Sequence, residues 1–401
     1  YKRQSIDNVS VQEIQEADFT FARNSSATRV NQAGLIEASQ SNDTPRLDYT
    51  TGQGAFLLEP QRTNLITYSE DLISGSGGTS IQNGILTESS TLVDPTGNTN
   101  AVTYTNPGNT NGSLKKSVTV SADVNLVLSI FIKKTSDSNF SSNDKARLEM
   151  FSNTASTSAT LLGDLINQAT VGQWVRYSTT AVADSDGGSV TCALRTDEAY
   201  SFDIFGFQLE EGTYATSYIP TVGSTVTRSA ESANSSGNSD LFNDSEGVLY
   251  AEISSLANYN TQRWLGISDG TNSNRVIIGL LNSATDFRFA VRISSAGSSQ
   301  AFMTYNFGAI TPKFTKVAVK YKNNDFALWV NGIERETDTS GNAPTGLNTL
   351  NFDRGDGGQD YEGKSKRIAV FKEALTDIEL EKLTSWRDFR DLAESQQYTL
   401  V

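Results

Sequence analysis

Five segments, at 247–253, 275–280, 287–293, 316–321 and 326–332, alternate apolar and polar side chains with a period of two. A pleated strand sends successive side chains to opposite faces, so this stretch is expected to form antiparallel strands in two packed sheets. Asn331-Gly332 is a hairpin signal, since both central positions of that turn need positive φ, and Asn323-Asn324-Asp325 marks a turn between the last two segments. Ile368-Ala369-Val370-Phe371-Lys372 closes the set. The remainder is rich in Ser, Thr, Asn and Gly, with 19% charged and 37% apolar residues, a mix that favours short strands over long helices. The expected fold class is all-β: two β-sandwich (jelly-roll) domains after a small β-rich N-terminal module, with a short C-terminal helix.

At 401 residues the chain exceeds one hydrophobic core, since cores stop growing near ~250–300 residues. The expected divisions are an N-terminal β module at 1–72, a first sandwich at 73–228, a linker at 229–245, a jelly roll at 246–384 and a helical tail at 385–401. In the first segment Phe19-Thr20-Phe21-Ala22-Arg23 alternates, and Asn31-Gln32-Ala33-Gly34 separates two strand-like runs as a hairpin. The strand signal at 55–59 stops at Pro60, which has no N–H to donate. In the second segment the runs 100–104, 124–134, 174–180 and 201–210 read as sandwich strands, and residues 229–245 have little to bury. Near the end, Thr376 and Glu379 stand at capping-box spacing before a helix. Ile378, Leu383, Trp386, Phe389 and Leu392 are expected to form its apolar face, docked on the sandwich.

Histidine is absent, which removes Ser-His and Cys-His nucleophilic pairs, His-ligated zinc and the usual neutral-pH general base. Carboxylate, Lys and Tyr chemistry remains, and for an enzyme that points chiefly to glycoside cleavage by paired carboxylates. A Glu-x-Asp-x-x-Glu strand is not present and Glu252 alone does not replace it, so the chain is read as non-enzymatic with no catalytic residues. Cys192, the single cysteine, permits no intrachain disulfide and is expected to be a small buried hydrophobe. The 46 acidic residues outnumber the 32 basic ones, for a formal charge of −14 with no compensating basic block, which argues against nucleic acid and anionic membranes as partners. No apolar run is long enough to span a bilayer and no signal sequence opens the chain; it starts at Tyr1, which leaves room for an upstream segment.

Three strings carry a resemblance: Thr20-Phe21-Ala22-Arg23-Asn24-Ser25-Ser26-Ala27-Thr28-Arg29-Val30-Asn31, Pro45-Arg46-Leu47-Asp48-Tyr49 and Leu58-Glu59-Pro60-Gln61-Arg62-Thr63-Asn64-Leu65. Together they resemble the N-terminal module of bacteriophage virion proteins, which include tail-fibre, head-fibre and tail-tip components. Phe207-Gln208-Leu209-Glu210-Glu211-Gly212, with Thr216-Ser217-Tyr218-Ile219-Pro220-Thr221 and Thr227-Arg228, resembles the close of the carbohydrate-binding-module-like sandwiches of the same proteins. The strands of 246–384 resemble the laminin-G-like and concanavalin-A-like lectin superfamily, whose members bind sugars or proteins.

These resemblances imply a virion fibre or tail-tip component on the phage particle surface. It would bind host-surface glycans, contact other virion proteins through its N-terminal module, and form a homo-oligomer, with a trimer as the family's usual number. The alternatives are a decoration protein of capsid or tail that binds neighbouring virion proteins, and a polysaccharide-degrading tail enzyme. For a glycan in the lectin-like segment the candidate plates are Tyr259, Trp264, Trp329 and Tyr361, because a pyranose has an apolar face and a polar rim. For a cation, Asp353, Asp356, Asp360 and Glu362 lie within ten Gly-rich residues and offer the oxygen ligands calcium needs. Their spacing does not fit an EF-hand, and a solvated acidic turn is the competing reading; no other cofactor is expected. Arg354-Gly355-Asp356 is too short a motif to decide anything, and Asp184-Ser185-Asp186-Gly187-Gly188 is expected to be a hairpin loop.

Overall fold

The computed structural model describes residues 18–38, 42–73, 79–152, 158–257, 261–281, 286–308, 314–388 and 391–392. The fold is all-β, with short helices at Gly163–Gln168 and Asp377–Thr384 among the described residues. It divides into two compact units, residues 22–231 and residues 232 onward with the stretch up to Phe21. The division falls within 229–245, a stretch that also contains the strand Ser232–Asn234 and the buried side chains of Ala233 and Phe242. Those residues are therefore not solvated throughout.

In the unit 22–231 two five-stranded antiparallel sheets face each other. The first runs in the order Ser158–Leu161, Ala146–Ser152, Gly188–Thr196, Gly112–Val120, Ser80–Gln82. The second runs Trp174–Val182, Asn125–Lys134, Tyr200–Glu211, Val102–Asn106, Ile85–Glu88. Alternate residues of each sheet fill one core: Leu114, Leu148, Met150, Cys192 and Leu194 from the first, Leu126, Leu128, Ile130, Phe202 and Ile204 from the second. Ile66 and Leu72 join that same core.

The second sheet keeps its alternation through a bulge. Register shifts between Ser129 and Phe131, where Gly206 takes a φ of 69°. A Cβ there would come within 3.0 Å of the Tyr218 ring and 3.2 Å of Phe131, so only glycine lets Phe205 stay outside while Phe207 and Leu209 turn into the core. Asp184–Gly188 is a correction to the hairpin expectation. The strand before it pairs with Asn125–Lys134 in one sheet and the strand after it pairs with Gly112–Val120 in the other, so this turn crosses between sheets.

The unit beyond residue 231 also contains two antiparallel sheets. One runs Ile333–Asp338, Phe326–Val330, Thr315–Lys322, Glu246–Ser255, Gly363–Phe371. The other runs Ser298–Asn306, Arg288–Ser295, Arg275–Leu281, Gln262–Ser268, Thr349–Asn351. The Asn331-Gly332 hairpin has the expected positive φ values of 51° and 79°. Val248, Tyr250, Ala318, Ala327 and Trp329 cluster with Leu380 of the C-terminal helix, whose capping box between Thr376 and Glu379 is formed. The helix thus docks on the sandwich, through Leu383 as expected and through Leu380, which was not among the expected residues. Leu380 is buried whereas Ile378 is 66% exposed, and Phe389 lies outside the described residues. No described helix is long and apolar enough to cross a membrane.

Candidate functional site: an open sheet face in residues 22–231

The two outer faces of the 22–231 sandwich differ. Phe205 and Tyr218 cluster with Ile36 and Ala101 outside the second sheet, with Val30, Leu92, Phe131 and Trp174 packed against them, so that face is covered. The outward residues of the first sheet, by contrast, line a groove of about 410 Å³.

The register builds that groove in rows. Ser113 stands between Gln82 and Arg195; Ala193 stands between Lys115 and Glu149; Thr191 stands between Ser117 and Phe151. A small side chain at the centre of each row, flanked by longer ones, produces a depression on the pleated surface. Gln82, Lys115, Glu149, Phe151 and Arg195 wall it. Lys115 Nζ donates to Gln82 Oε1 at 2.7 Å and lies 5.9 Å from the Phe151 ring centroid. Arg195 is held by Asp197, with Nε to Oδ1 at 3.2 Å, and by Asn111. Its remaining reach to Glu149 is 4.0 Å, a loose pairing for a carboxylate only 7% exposed.

Ser113 lines the groove at 1% exposure, and its Oγ has no hydrogen-bond partner among the described residues. A buried hydroxyl left without a partner costs about 1–3 kcal/mol, so such a group calls for a partner that arrives from outside. The groove therefore offers cationic and amide donors, a loosely held carboxylate acceptor, a two-way hydroxyl and the flank of one aromatic ring.

A second concavity of about 490 Å³ lies at one end of the same unit, lined by Tyr68, Glu70, Asp71, Glu88, Asn100 and Val222 among others. Burial pushes the Glu70 carboxyl above its ordinary range, although Asn100 Nδ2, 3.1 Å away, donates to it and opposes the shift.

The strings at 45–49 and 58–65 and residue Arg23 contribute buried charged side chains to this unit, although Leu47 is 48% exposed. Arg23, Arg46, Glu59, Arg228 and Glu231 form a buried charge knot. Glu231 Oε1 accepts from Arg23 Nη1 at 2.9 Å and Arg46 Nε at 2.8 Å, and Glu59 Oε2 lies 2.9 Å from both Arg46 Nη2 and Arg228 Nη1. Burial alone would raise the Glu59 carboxyl, but Arg228 and Arg46 hold it well below the usual range. These side chains are 0–4% exposed, so their part is to hold the segments together.

The residues expected to serve as sugar plates do not offer open faces. Trp264 is 1% exposed, packs on Ile277 and Ala290, and donates from Nε1 to Gln359 Oε1 at 3.1 Å. Trp329 lies beneath the C-terminal helix, and Tyr361 is buried with its hydroxyl donating toward Ser254 O and Lys364 O. Alternation finds strands, but a sandwich whose outer face is itself covered buries both sides of a strand. Tyr259 lies outside the described residues.

The four acidic residues are likewise dispersed among separate partners. Asp353 accepts from Gly355 N and its carboxyl is raised by burial. Asp356 pairs with Arg354, whose hydrogen bond holds that carboxyl low, and Glu362 pairs with Arg263 at 3.0 Å. Asp360 is raised by burial and by Asp353. Among the described residues no three His, Cys, Asp or Glu side chains are grouped to hold a metal ion. Cys192 is fully buried, and burial pushes its thiol up to about 12.

No family model matches the sequence, and no curated protein matches it. Among solved structures, the chain is similar to the carbohydrate-binding module CBM40 of the Ruminococcus gnavus IT-sialidase, at 17% identity over 38% of this chain and 94% of that one, with a TM-score of 0.30. The same module bound to α2,3-sialyllactose gives 17%, 38%, 94% and 0.29. The N-terminal CBM22-1–CBM22-2 tandem of Paenibacillus barcinonensis Xyn10C gives 10% identity over 77% of this chain and 97% of that one, with a TM-score of 0.27. These likenesses are too slight to carry an argument about fold or ligand.

Proposed function

We propose that this chain is a glycan-binding protein whose ligand lies in the groove on the first sheet of residues 22–231. The observation that carries this reading is the buried, unpartnered Ser113 Oγ in a groove walled by Lys115, Glu149, Arg195, Gln82 and Phe151. A sugar presents vicinal hydroxyls that both donate and accept, and one apolar ring face, which match such a wall better than an apolar small molecule or a duplex. Strand residues hold the groups in place, so little ordering is needed on binding.

The biological setting we propose is a bacteriophage particle. The chain acts there as a fibre or tail-tip component that recognises host-surface glycans, in a homo-oligomer, with a trimer proposed, whose several copies strengthen a weak single contact. What supports this setting is the sequence resemblance of residues 20–65, and the lectin-like assignment of 246–384 rests on resemblance in the same way. A decoration role that binds virion proteins is the alternative. A bound calcium at the 353–362 loop stays a proposal, tested by whether calcium raises the melting temperature of Asp353→Asn less than that of the parent.

A glycan array with the whole chain tests the main reading. Host-type glycans that bind the parent and lose about tenfold or more in affinity with Ser113→Val or Lys115→Ala support it, as one buried polar contact corresponds to that factor. Silence on the array with tight capture of a virion subunit would favour decoration.

One observation favours a second reading, cleavage of polysaccharide. Glu70, raised by burial, lines a cleft together with Glu88 and Asp71, as a general acid beside other carboxylates would. Reducing ends released from host polysaccharide by the parent and not by Glu70→Gln would establish it; no release from either would remove it.

A further inference from the structure

The other unit carries a cluster of arginines on one sheet face, two of which make no ion pair among the described residues. On the outward side of the sheet built from Arg275–Leu281, Arg288–Ser295 and Ser298–Asn306, the register places Ile277, Arg292 and Phe302 in one row. Arg275 stands in the neighbouring row opposite Ser294, on the same face as Arg292. The 353–362 loop brings Arg354 to the same place, since Arg275 Nη1 donates to the Arg354 carbonyl at 2.9 Å. Arg354 is paired with Asp356 at 2.6 Å.

Arg275 and Arg292 make no ion pair among the described residues, and the Nε of each has no acceptor. Arg275 is only 5% exposed. Its Nη1 donates to Asn272 Oδ1 and the Arg354 carbonyl, which only partly offsets the hydration that a buried guanidinium without an ion pair gives up, and neighbouring guanidinium groups repel it. Burial first, and then Arg292 and Arg354, accordingly lower the Arg275 pKa, with Asp356 opposing the shift. In a chain of net charge −14 such a cluster is locally out of keeping. Beside it Phe302 is 45% exposed, with the Arg292 guanidinium 5.1 Å from its ring centroid.

We propose that this face binds a single anionic group, a carboxylate or a sulfate ester, carried on a sugar ring: Arg275 and Arg292 receive the oxyanion and Phe302 takes the apolar face of the ring. Guanidinium forks match both oxyanions in bidentate geometry, and an aromatic plate beside them matches a pyranose rather than a free ion. One charge is favoured over a polyanion because the surrounding chain is acidic and repels extended negative charge. This site does not depend on the Ser113 groove.

Titration of the whole chain by isothermal calorimetry tests it with three probes: lactose, lactose bearing one sulfate ester, and a disaccharide bearing one uronate carboxylate. At least one charged probe is expected to bind about tenfold or more tightly than lactose, and to weaken as salt rises. Preference for one charged probe identifies the group. Arg292→Gln, at a half-buried position, and Phe302→Ala, at an exposed one, are expected to remove that preference, while Lys115→Ala in the groove does not remove it. Arg292→Lys, which keeps charge without the fork, is expected to retain part of it. Equal binding of all three probes, preference unchanged in Arg292→Gln, or loss of preference only with Lys115→Ala would each overturn the proposal. Equally tight binding of a single-stranded oligonucleotide would overturn it as well, in favour of a plain electrostatic patch.

Discussion

Residues 22–231 and the unit beyond residue 231 use the same two-sheet plan but cover their outer faces differently. The first unit lays its N-terminal strands over one sheet and fixes buried segments with Arg23, Arg46, Arg228, Glu59 and Glu231, so charge is held inside by charge. The second lays a helix over one sheet through Leu380 against Tyr250, Ala327 and Trp329, so apolar area alone does the covering. The buried charges cost desolvation and return it only with every partner present, whereas an apolar cap loses stability roughly in proportion to what is removed. In both units the opposite sheet keeps polar, unbalanced side chains outward: Ser113, Lys115 and Glu149 in one, Arg275 and Arg292 in the other.

The difference is sharpest when one knot carboxylate is removed. Glu231→Ala leaves Arg23 and Arg46 short of a partner and is expected to destabilise residues 22–231 by about 3–5 kcal/mol. Urea denaturation followed by hydrogen exchange checks it, with protection falling in strands 112–120 and 188–196; an unchanged midpoint would show that the knot is dispensable. Leu380→Ala is expected to cost about 2–5 kcal/mol, with the loss confined to the helix and strands 246–255 and 315–330. A loss of protection in both units alike would break the comparison.

Acid distinguishes the units next. Because the folded Glu59 carboxyl is held below its unfolded value, the stability it contributes is fully present above the ordinary carboxylate range and declines as pH falls toward the folded value. Asp353 and Asp360 are raised, so their contribution has the opposite sign: they favour folding more as pH falls through their folded values. The strands held by the Glu59 knot are therefore expected to lose exchange protection on acidification from pH 5, whereas the 353–362 loop is not. The smallest effect is the helix cap, where Thr376→Ala is expected to cost about 1 kcal/mol and to be read as helix fraying in exchange of Leu380 N–H.

The same contrast explains what could be read from sequence. Alternation identified strands such as Glu246–Ser255 and Thr315–Lys322, a long apolar run identified Asn125–Lys134, and Asn331-Gly332 identified its hairpin, because these signals are local. Alternation cannot say what covers a strand's second face. Hence Trp264 and Trp329 carried the pattern of surface aromatics and turned out to be packed. The groove was hidden for a related reason. Gly112–Val120 shows polar side chains at every second position, and Ala146–Ser152 and Gly188–Thr196 do so except at Phe151 and Ala193, but only pairing brings Ser113, Glu149 and Arg195 together across sequence separations that no local rule spans. Arg23, Arg46, Glu59 and Arg228 stood in the strings that carried the resemblance and Glu231 in the expected linker, and their burial as one knot was not legible, since Arg23 and Glu231 are 208 residues apart.

The central claim is that the Ser113 groove receives a sugar, and calorimetric titration of parent and Ser113→Val with the best array glycan tests it most directly. Saturable binding by the parent and a loss of about tenfold or more in the variant, at a melting temperature no lower than the parent's because the unpartnered buried hydroxyl is gone, are expected. Equal affinity in the two proteins would contradict it.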